Sequence, residues 1–204
     1  MLSIIIPARN EADNLEDILD YFKSNLTDLE YELIIINDFS DDNTLNKAQK
    51  LFEAEPNFRV INNDLKSLGG ARNQGIKNAK GDRVAITMAA LSDSVEDLIK
   101  YNNLMVKKDL DSVLGSRFLK DSVVKDYPLQ KLILNRIFNF TVSLLFWNKY
   151  NDYTNAFKIY KKNILLELMP LVSESFNIFL EIPLKVISRN YKYEVIRINW
   201  YGRK

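Results

Sequence analysis

The side chains of this chain that could do chemistry are carboxylates, guanidinium and ammonium groups, phenols and hydroxyls. Its 204 residues include no cysteine and no histidine, which excludes disulfides, thiolate nucleophiles, imidazole catalysis and metal sites built from those residues. Any bound metal would be a hard ion with oxygen ligands, such as Mg²⁺ or Mn²⁺. The formal net charge is +1, so composition gives no reason to expect nucleic acid as a partner.

The first part of the chain alternates between two apolar patterns. Short apolar runs predict strands at residues 2–7, 31–36, 58–61, 83–88 and 112–115. Helical spacing of apolar residues predicts helices at 11–25, 42–52, 70–79 and 95–106. This alternation predicts an α/β fold with a mostly parallel sheet flanked by helices. Asn10, Asp38 and Ala90 follow strand ends, so we expect them at one edge of the sheet.

The second part is less regular. Its apolar segments predict a long helix at 129–147, a strand or helix start at 153–160, a helix kinked or restarted at Pro183 at 176–189 and a strand at 193–200. The length favours one domain, 1–204, with halves 1–118 and 119–204.

No signal peptide or spanning helix of about 20 residues is visible, which predicts a cytoplasmic protein that is soluble or peripheral to a membrane.

Several polar motifs lie at these expected strand ends. They read Pro-Ala-Arg-Asn-Glu at 7–11, Asn-Asp-Phe-Ser-Asp-Asp-Asn-Thr at 37–44, Gly-Gly-Ala-Arg-Asn-Gln-Gly at 69–75, Gly-Ser-Arg-Phe at 115–118 and Asp-Tyr-Thr-Asn-Ala-Phe-Lys-Ile-Tyr at 152–160. Each alone also fits an ordinary turn or helix cap, for example Asn10 as an N-cap. In this order they resemble family 2 glycosyltransferases of the GT-A fold, most closely the branch that uses polyprenyl phosphates.

The resemblance implies a nucleotide-sugar donor, linked to UDP or GDP. It implies donor-binding residues at Pro7, Arg9, Glu11, Ile36, Asp38, Arg72, Thr87, Met88, Ala89 and Ala90. Asp38 would accept hydrogen bonds from the base. Asn37 and Phe39 depart from the family, which has Asp and Gly there, so we expect a loop of different shape.

Residues 88–93 read Met-Ala-Ala-Leu-Ser-Asp, where the family has Asp-x-Asp or Met-Ala-Asp-x-Ser-Asp. The second Asp of the family normally holds Mg²⁺ or Mn²⁺ on the donor diphosphate. Ala90 occupies that position here, which leaves Ser92 and Asp93 as candidate ligands. Either the protein is naturally metal-independent or inactive, or an Asp was replaced deliberately. The intact motifs elsewhere favour the replacement, and the loss of the metal ligand among them predicts a fold that binds nucleotide but transfers sugar poorly or not at all.

On the acceptor side, the resemblance implies that Arg117, Arg136 and Arg203 bind the phosphate of a polyprenyl-phosphate lipid. It also implies catalytic roles for Arg117, Asp152 and Asp93. Because a phosphate acceptor is already anionic, an inverting transfer needs no general base. Arg136 could instead be a helix residue with its charge extended to solvent, and the apolar residues 134–147 could face a membrane or the sheet.

Two other functions stay open from the sequence. One is transfer to a saccharide hydroxyl, and the other is nucleotide-sugar binding without catalysis. The oligomeric state also stays open.

Overall fold

The computed structural model describes residues 1–202, and its centre is a seven-stranded sheet. The seven strands are β1 (Leu2–Ala8), β2 (Tyr31–Asn37), β3 (Phe58–Asn62), β4 (Arg83–Ile86), β5 (Ser112–Ser116), β7 (Lys158–Lys161) and β8 (Tyr193–Arg197). A separate pair contains β6 (Val124–Lys125) and β9 (Trp200–Tyr201). The strand order in the large sheet is β3-β2-β1-β4-β7-β5-β8. All neighbours are parallel except β7, which runs antiparallel between β4 and β5, so the expected mostly parallel α/β sheet is confirmed.

Seven α-helices cover this sheet among the described residues. They are α1 (Leu15–Asn25), α2 (Thr44–Phe52), α3 (Leu68–Asn78), α4 (Val95–Lys108), α5 (Leu129–Leu145), α6 (Lys162–Glu167) and α7 (Ile178–Ser188). One apolar core contains residues of α1, α2 and α4, and a second contains residues of α3, α6 and α7. β1 and β2 are buried along their whole length, as continuous apolar strands with helices on both faces must be.

Most expected elements lie close to the observed ones, and the differences have local causes. The helix expected from residue 11 starts with a 3-10 turn, Ala12–Asn14, before α1. Asn10 is not a helix cap, because its φ is 56° and its side-chain oxygen accepts from the Asp41 amide at 2.8 Å. The segment 153–160 contains the start of strand β7. β6 and α6 are too short to show a periodic apolar pattern.

The helix does not restart at Pro183, because α7 runs through it as one element, and a kink there stays a prediction. Because proline has no N–H, the carbonyl of Phe179 four residues earlier loses its helical donor. That carbonyl accepts from Nζ of Lys158 at 3.5 Å instead. Within residues 1–202, no helix is long and apolar enough to span a bilayer.

α3 packs closely on β1 through Gly75. A Cβ built on Gly75 would lie 2.4 Å from Cγ2 of Ile5, deep in the core. We expect Gly75→Ala to lower the free energy of unfolding by about 1–3 kcal/mol through overpacking. A helical Gly→Ala change with free space would instead raise it by about 0.5–1 kcal/mol. Urea denaturation shows whether the free energy of unfolding falls or rises, and Lys77→Ala, at an exposed position of the same helix, is the control.

Candidate active site

The polar motifs meet where the parallel strands end. β1, β2, β4 and β5 lead into the segments that carry Arg9, Asp38, Thr87 and Arg117. β7 runs the other way, so its first residue, Lys158, lies at this same edge, paired with Ile86 and Leu114. The edge therefore brings together the donor-side and acceptor-side motifs, as expected for ligand sites of such sheets.

Asp38 is buried and organises the start of α3. Its Oδ1 accepts from Nδ2 of Asn63 at 2.7 Å and from the Ser67 amide at 3.1 Å. Ser67 in turn caps α3, accepting from the Gly70 amide at 2.9 Å. Asp38 thus joins the end of β2 to the Gly-Gly-Ala-Arg motif. Its contact with a nucleotide base stays a prediction.

Phe39 occupies a backbone conformation that favours glycine, the residue that the family has at this turn. Its φ of 54° lies in the left-handed region, which a glycine adopts without strain and an aromatic residue does not. Phe39 therefore takes a φ that a glycine reaches without strain, and a loop shape different from that of the family stays a prediction. The Phe39 ring is exposed beside the Asp38 loop.

The first motif is held by hydrogen bonds to the second. The Glu11 amide donates to Oγ1 of Thr44 at 2.9 Å, and the Glu11 carboxylate accepts from Asn14. Pro7 and Ile36 are buried in β1 and β2, whereas Arg9 is exposed. Of these donor-side candidates, Arg9 and Glu11 have exposed surface with which to meet a ligand.

Residues 87–93 form a turn in which the remaining carboxylate faces inward. Asp93 is buried and its Oδ2 accepts from Oγ1 of Thr87 at 3.2 Å, while its Oδ1 has no hydrogen-bond partner within residues 1–202. Burial raises the pKa of Asp93 to about 6, although Thr87, Arg117 and Lys158 act in the opposite direction. Met88, Ala89 and Ala90 complete the turn, and Leu91 closes it with a φ of 51°.

These residues do not fit a divalent ion. Ala90 has no ligand atom, Ser92 offers one neutral hydroxyl, and the carboxyl of Asp93 is buried and accepts from Thr87. Mg²⁺ and Mn²⁺ require several oxygen ligands, commonly ionised carboxylates. Across the part of the chain that the structure describes, no cluster of three or more acidic side chains could hold such an ion.

Arg117 and Asp152 form a buried ion pair with two parallel hydrogen bonds. Nε of Arg117 donates to Oδ2 of Asp152 at 2.9 Å, and Nη2 donates to Oδ1 at 2.7 Å. The Arg117 amide also donates to Oδ2 at 2.8 Å. Burial alone would lower the pKa of Arg117, but the bonds to and charge of Asp152 raise it above its ordinary value. The two predicted catalytic residues therefore engage each other directly.

Asn139, which sequence reasoning missed, ties α5 to this pair. Its Oδ1 accepts from the Tyr153 amide at 2.6 Å, and its Nδ2 donates to Oγ1 of Thr154 at 3.2 Å. Nη2 of Arg117 reaches the same Thr154 oxygen at 3.2 Å. In the sequence, the only sign of this role of Asn139 was its polar side chain in a strongly apolar helix.

Arg136 lies on the exposed side of α5, near but apart from the ion pair. Its guanidinium is 5.5 Å from the centroid of the Phe118 ring, and that of Arg117 is 5.3 Å from the same ring. A cavity of about 410 Å³ adjoins Arg136, Phe118 and Lys149. Arg203, the third predicted phosphate ligand, lies outside the described residues.

Arg72 and Lys158 are the two most deeply buried cations near this edge, with exposures of 0% and 1%. Arg72 was predicted to bind the donor, whereas Lys158 received no role beyond its place in the motif at 152–160. Burial lowers the pKa of Arg72 to about 9 and that of Lys158 to about 7. Neither cation forms a salt bridge with a carboxylate of residues 1–202.

Sequence comparison agrees with this geometry. The family model described as glycosyl transferase family 2 matches residues 3–169. The fold and the site define an enzyme of the glycosyltransferase class. The chain belongs to glycosyl transferase family 2.

Two curated relatives carry lipid-phosphate names. A dolichol-phosphate mannosyltransferase of Pyrococcus furiosus is 29% identical over 188 residues, which are 90% of this chain and 52% of that protein. A dolichyl-phosphate beta-glucosyltransferase of Dictyostelium discoideum is 28% identical over 215 residues, covering 98% of this chain and 66% of that protein. The chain therefore matches only part of the length of either relative.

Solved structures show the same fold. Glucosyl-3-phosphoglycerate synthase of Mycobacterium tuberculosis, in complex with Mn²⁺, UDP and glucosyl-3-phosphoglycerate, superposes with a TM-score of 0.71 at 15% identity. The match covers 100% of this chain and 71% of that one. At this identity the likeness establishes the GT-A architecture.

The ion pair yields a stability prediction. We expect Asp152→Asn to lower the free energy of unfolding by about 3–5 kcal/mol, because it leaves the buried Arg117 charge without its partner. The control is Asp121→Asn, whose exposed carboxylate lies 3.8 Å from Arg197. That change should cost at most about 1 kcal/mol. Equal, small losses in chemical denaturation of the two variants would contradict the structural role assigned to the pair.

Proposed function

We propose that this chain binds a nucleotide sugar at the carboxyl edge of its sheet and transfers the sugar, with inversion, to a polyprenyl phosphate at a membrane surface. In the form with Ala90 the transfer is weak. The observation that carries the proposal is the exposed apolar surface of α5 beside Arg136 and the Arg117–Asp152 pair. The names of the two relatives support the same acceptor class.

The exposed surface of α5 suits a bilayer interface. Of its 17 residues only Asn139 and Val142 are buried, although the helix is strongly apolar. The following Trp147 is 94% exposed. Residues 127–151 contain three basic side chains and no acidic one. An apolar helix face with cations and a terminal Trp is typical of peripheral binding to anionic membranes, which on our proposal means the cytoplasmic face.

The acceptor phosphate would meet the cations next to this surface. Arg136 is exposed and borders the cavity that Phe118 and Lys149 also line. Arg117 is held by Asp152, and its guanidinium also lies against the Phe118 ring. A guanidinium fork suits a phosphate group. Since the acceptor oxygen is already anionic, the chain's residues need to orient it and neutralise charge, without removing a proton.

Restoring the family carboxylate tests the proposed function. We expect Ala90→Asp, with Mg²⁺ or Mn²⁺ present, to raise sugar transfer into polyprenyl phosphate by at least about tenfold. The reason is that a carboxylate there supplies the charged ligand that the donor set lacks. The assay measures labelled sugar in the lipid phase of vesicles across a panel of UDP- and GDP-linked sugars. Ala90→Asn, similar in size but uncharged, is the control.

Two outcomes would contradict this function. Transfer by Ala90→Asp to soluble saccharides but not to lipid would indicate a hydroxyl acceptor. Nucleotide binding by Ala90→Asp with no transfer to any acceptor would indicate a protein that only binds nucleotide sugars.

Membrane binding gives a separate test. We expect Trp147→Glu to reduce co-sedimentation with vesicles containing anionic phospholipid by at least about fivefold, because it removes an interfacial aromatic side chain and adds a repelled charge. Val106→Glu alters an exposed apolar residue on α4 and should leave binding within about twofold of the original. Equal effects of both changes would refute α5 as the membrane-facing surface.

A further inference from the structure

Five ionisable side chains are buried together at the carboxyl edge. This buried charge cluster contains Arg72, Arg117, Lys158, Asp93 and Asp152. Their charges act on one another. The charges of Arg117, Lys158 and Asp152 affect the pKa of Asp93, and the charge of Arg72 affects the pKa of Lys158. The cluster has three cations and two carboxylates.

The excess charge of the cluster is positive and is concentrated on two residues. Arg117 and Asp152 neutralise each other through their paired hydrogen bonds. That leaves Arg72 and Lys158 with Asp93 as the remaining carboxylate, so the five groups in their charged forms carry one excess positive charge. Burying unbalanced positive charge is unfavourable, so the cluster suits an anionic ligand.

Arg72 lacks hydrogen-bond partners among the described residues. Its Nε, Nη1 and Nη2 are all buried without a hydrogen bond to any atom of residues 1–202. Its guanidinium carbon lies 3.5 Å from the centroid of the Phe179 ring on α7. Buried polar groups in proteins are almost always paired, and a guanidinium fork matches phosphate oxygens. The unpaired donors therefore indicate a phosphate-bearing ligand.

Lys158 brings a second cation under the turn that lacks the family carboxylate. As the first residue of β7 it pairs with Ile86, the last residue of β4, directly before residues 87–93. Nζ donates to three backbone carbonyls, those of Tyr153, Asn155 and Phe179. These bonds engage the three N–H groups and hold the ammonium in place, so Lys158 would act on a neighbouring anion through its charge, and the anion would favour that charged form.

We propose that Arg72 and Lys158 bind the diphosphate of a nucleotide donor in place of a divalent ion. This inference rests on the proposed nucleotide-sugar donor and concerns binding alone. It explains why two buried cations without a carboxylate partner in residues 1–202 occur at the same edge as an alanine at position 90.

Ligand access to Arg72 requires a movement of residues 171–177. This segment has no helix or strand and contacts the first turns of α3. The Gly69 amide donates to the Glu174 carbonyl at 3.0 Å, and Nδ2 of Asn73 donates to the Leu171 carbonyl at 3.2 Å. On this inference, displacing these bonds would free the first turns of α3, the helix that carries Arg72.

Isothermal titration calorimetry with UDP, GDP and the matching monophosphates, in EDTA and in Mg²⁺, tests the inference. For the diphosphate that binds best, we expect dissociation constants within about twofold in the two buffers. The monophosphate should bind at least about tenfold more weakly. Arg72→Met and Lys158→Met should each weaken diphosphate binding at least about tenfold and monophosphate binding less than about threefold, whereas exposed Arg189→Met should change neither.

Unfolding of the ligand-free protein separates binding from a structural role. Because Arg72 is buried without a hydrogen-bond partner in residues 1–202, Arg72→Met should keep or raise the melting temperature while it weakens diphosphate binding. Diphosphate binding at least about tenfold tighter in Mg²⁺ than in EDTA would refute the inference and leave the proposed function standing. Unchanged affinity in Arg72→Met would also refute it. No binding of any nucleotide in either buffer would refute both.

Discussion

The paired hydrogen bonds between Arg117 and Asp152 are the constraint on which the rest of the site depends. They join the end of β5 to the segment that leads into β7, and Thr154 and Asn139 extend the contact to α5. A buried pair of this kind stabilises only while both partners are present. The position of the exposed apolar helix relative to the sheet edge therefore depends on this ion pair.

The same pair decides which charges remain for ligands. Since Arg117 is neutralised inside the protein, the buried cations left on the donor side are Arg72 and Lys158, and Arg136 lies exposed at the cavity beside α5. With Ala90, the edge lacks the additional carboxylate that the family has at that position. On our proposals, one region of the site binds a diphosphate and another binds a lipid phosphate.

The sequence was sufficient for the sheet, its flanking helices and the edge where the motifs meet, because β1 and β2 are continuous apolar strands and the motifs follow strand ends. It also identified Arg117 and Asp152, but assigned both to ligands and catalysis. Their mutual pairing, the burial of Arg72 and the importance of Lys158 and Asn139 depend on contacts between residues far apart in the chain. Local patterns contain no information on which charges are paired or buried.

The most direct test of this account is photo-crosslinking with a polyprenyl phosphate that carries a photoreactive group next to its phosphate. The protein would be labelled in vesicles, and the modified peptides identified by mass spectrometry. The account predicts labels concentrated in residues 118–149, around Phe118, Arg136 and α5, and competed away by unlabelled polyprenyl phosphate. Labels concentrated on α1 or α2, or unaffected by the competitor, would contradict it.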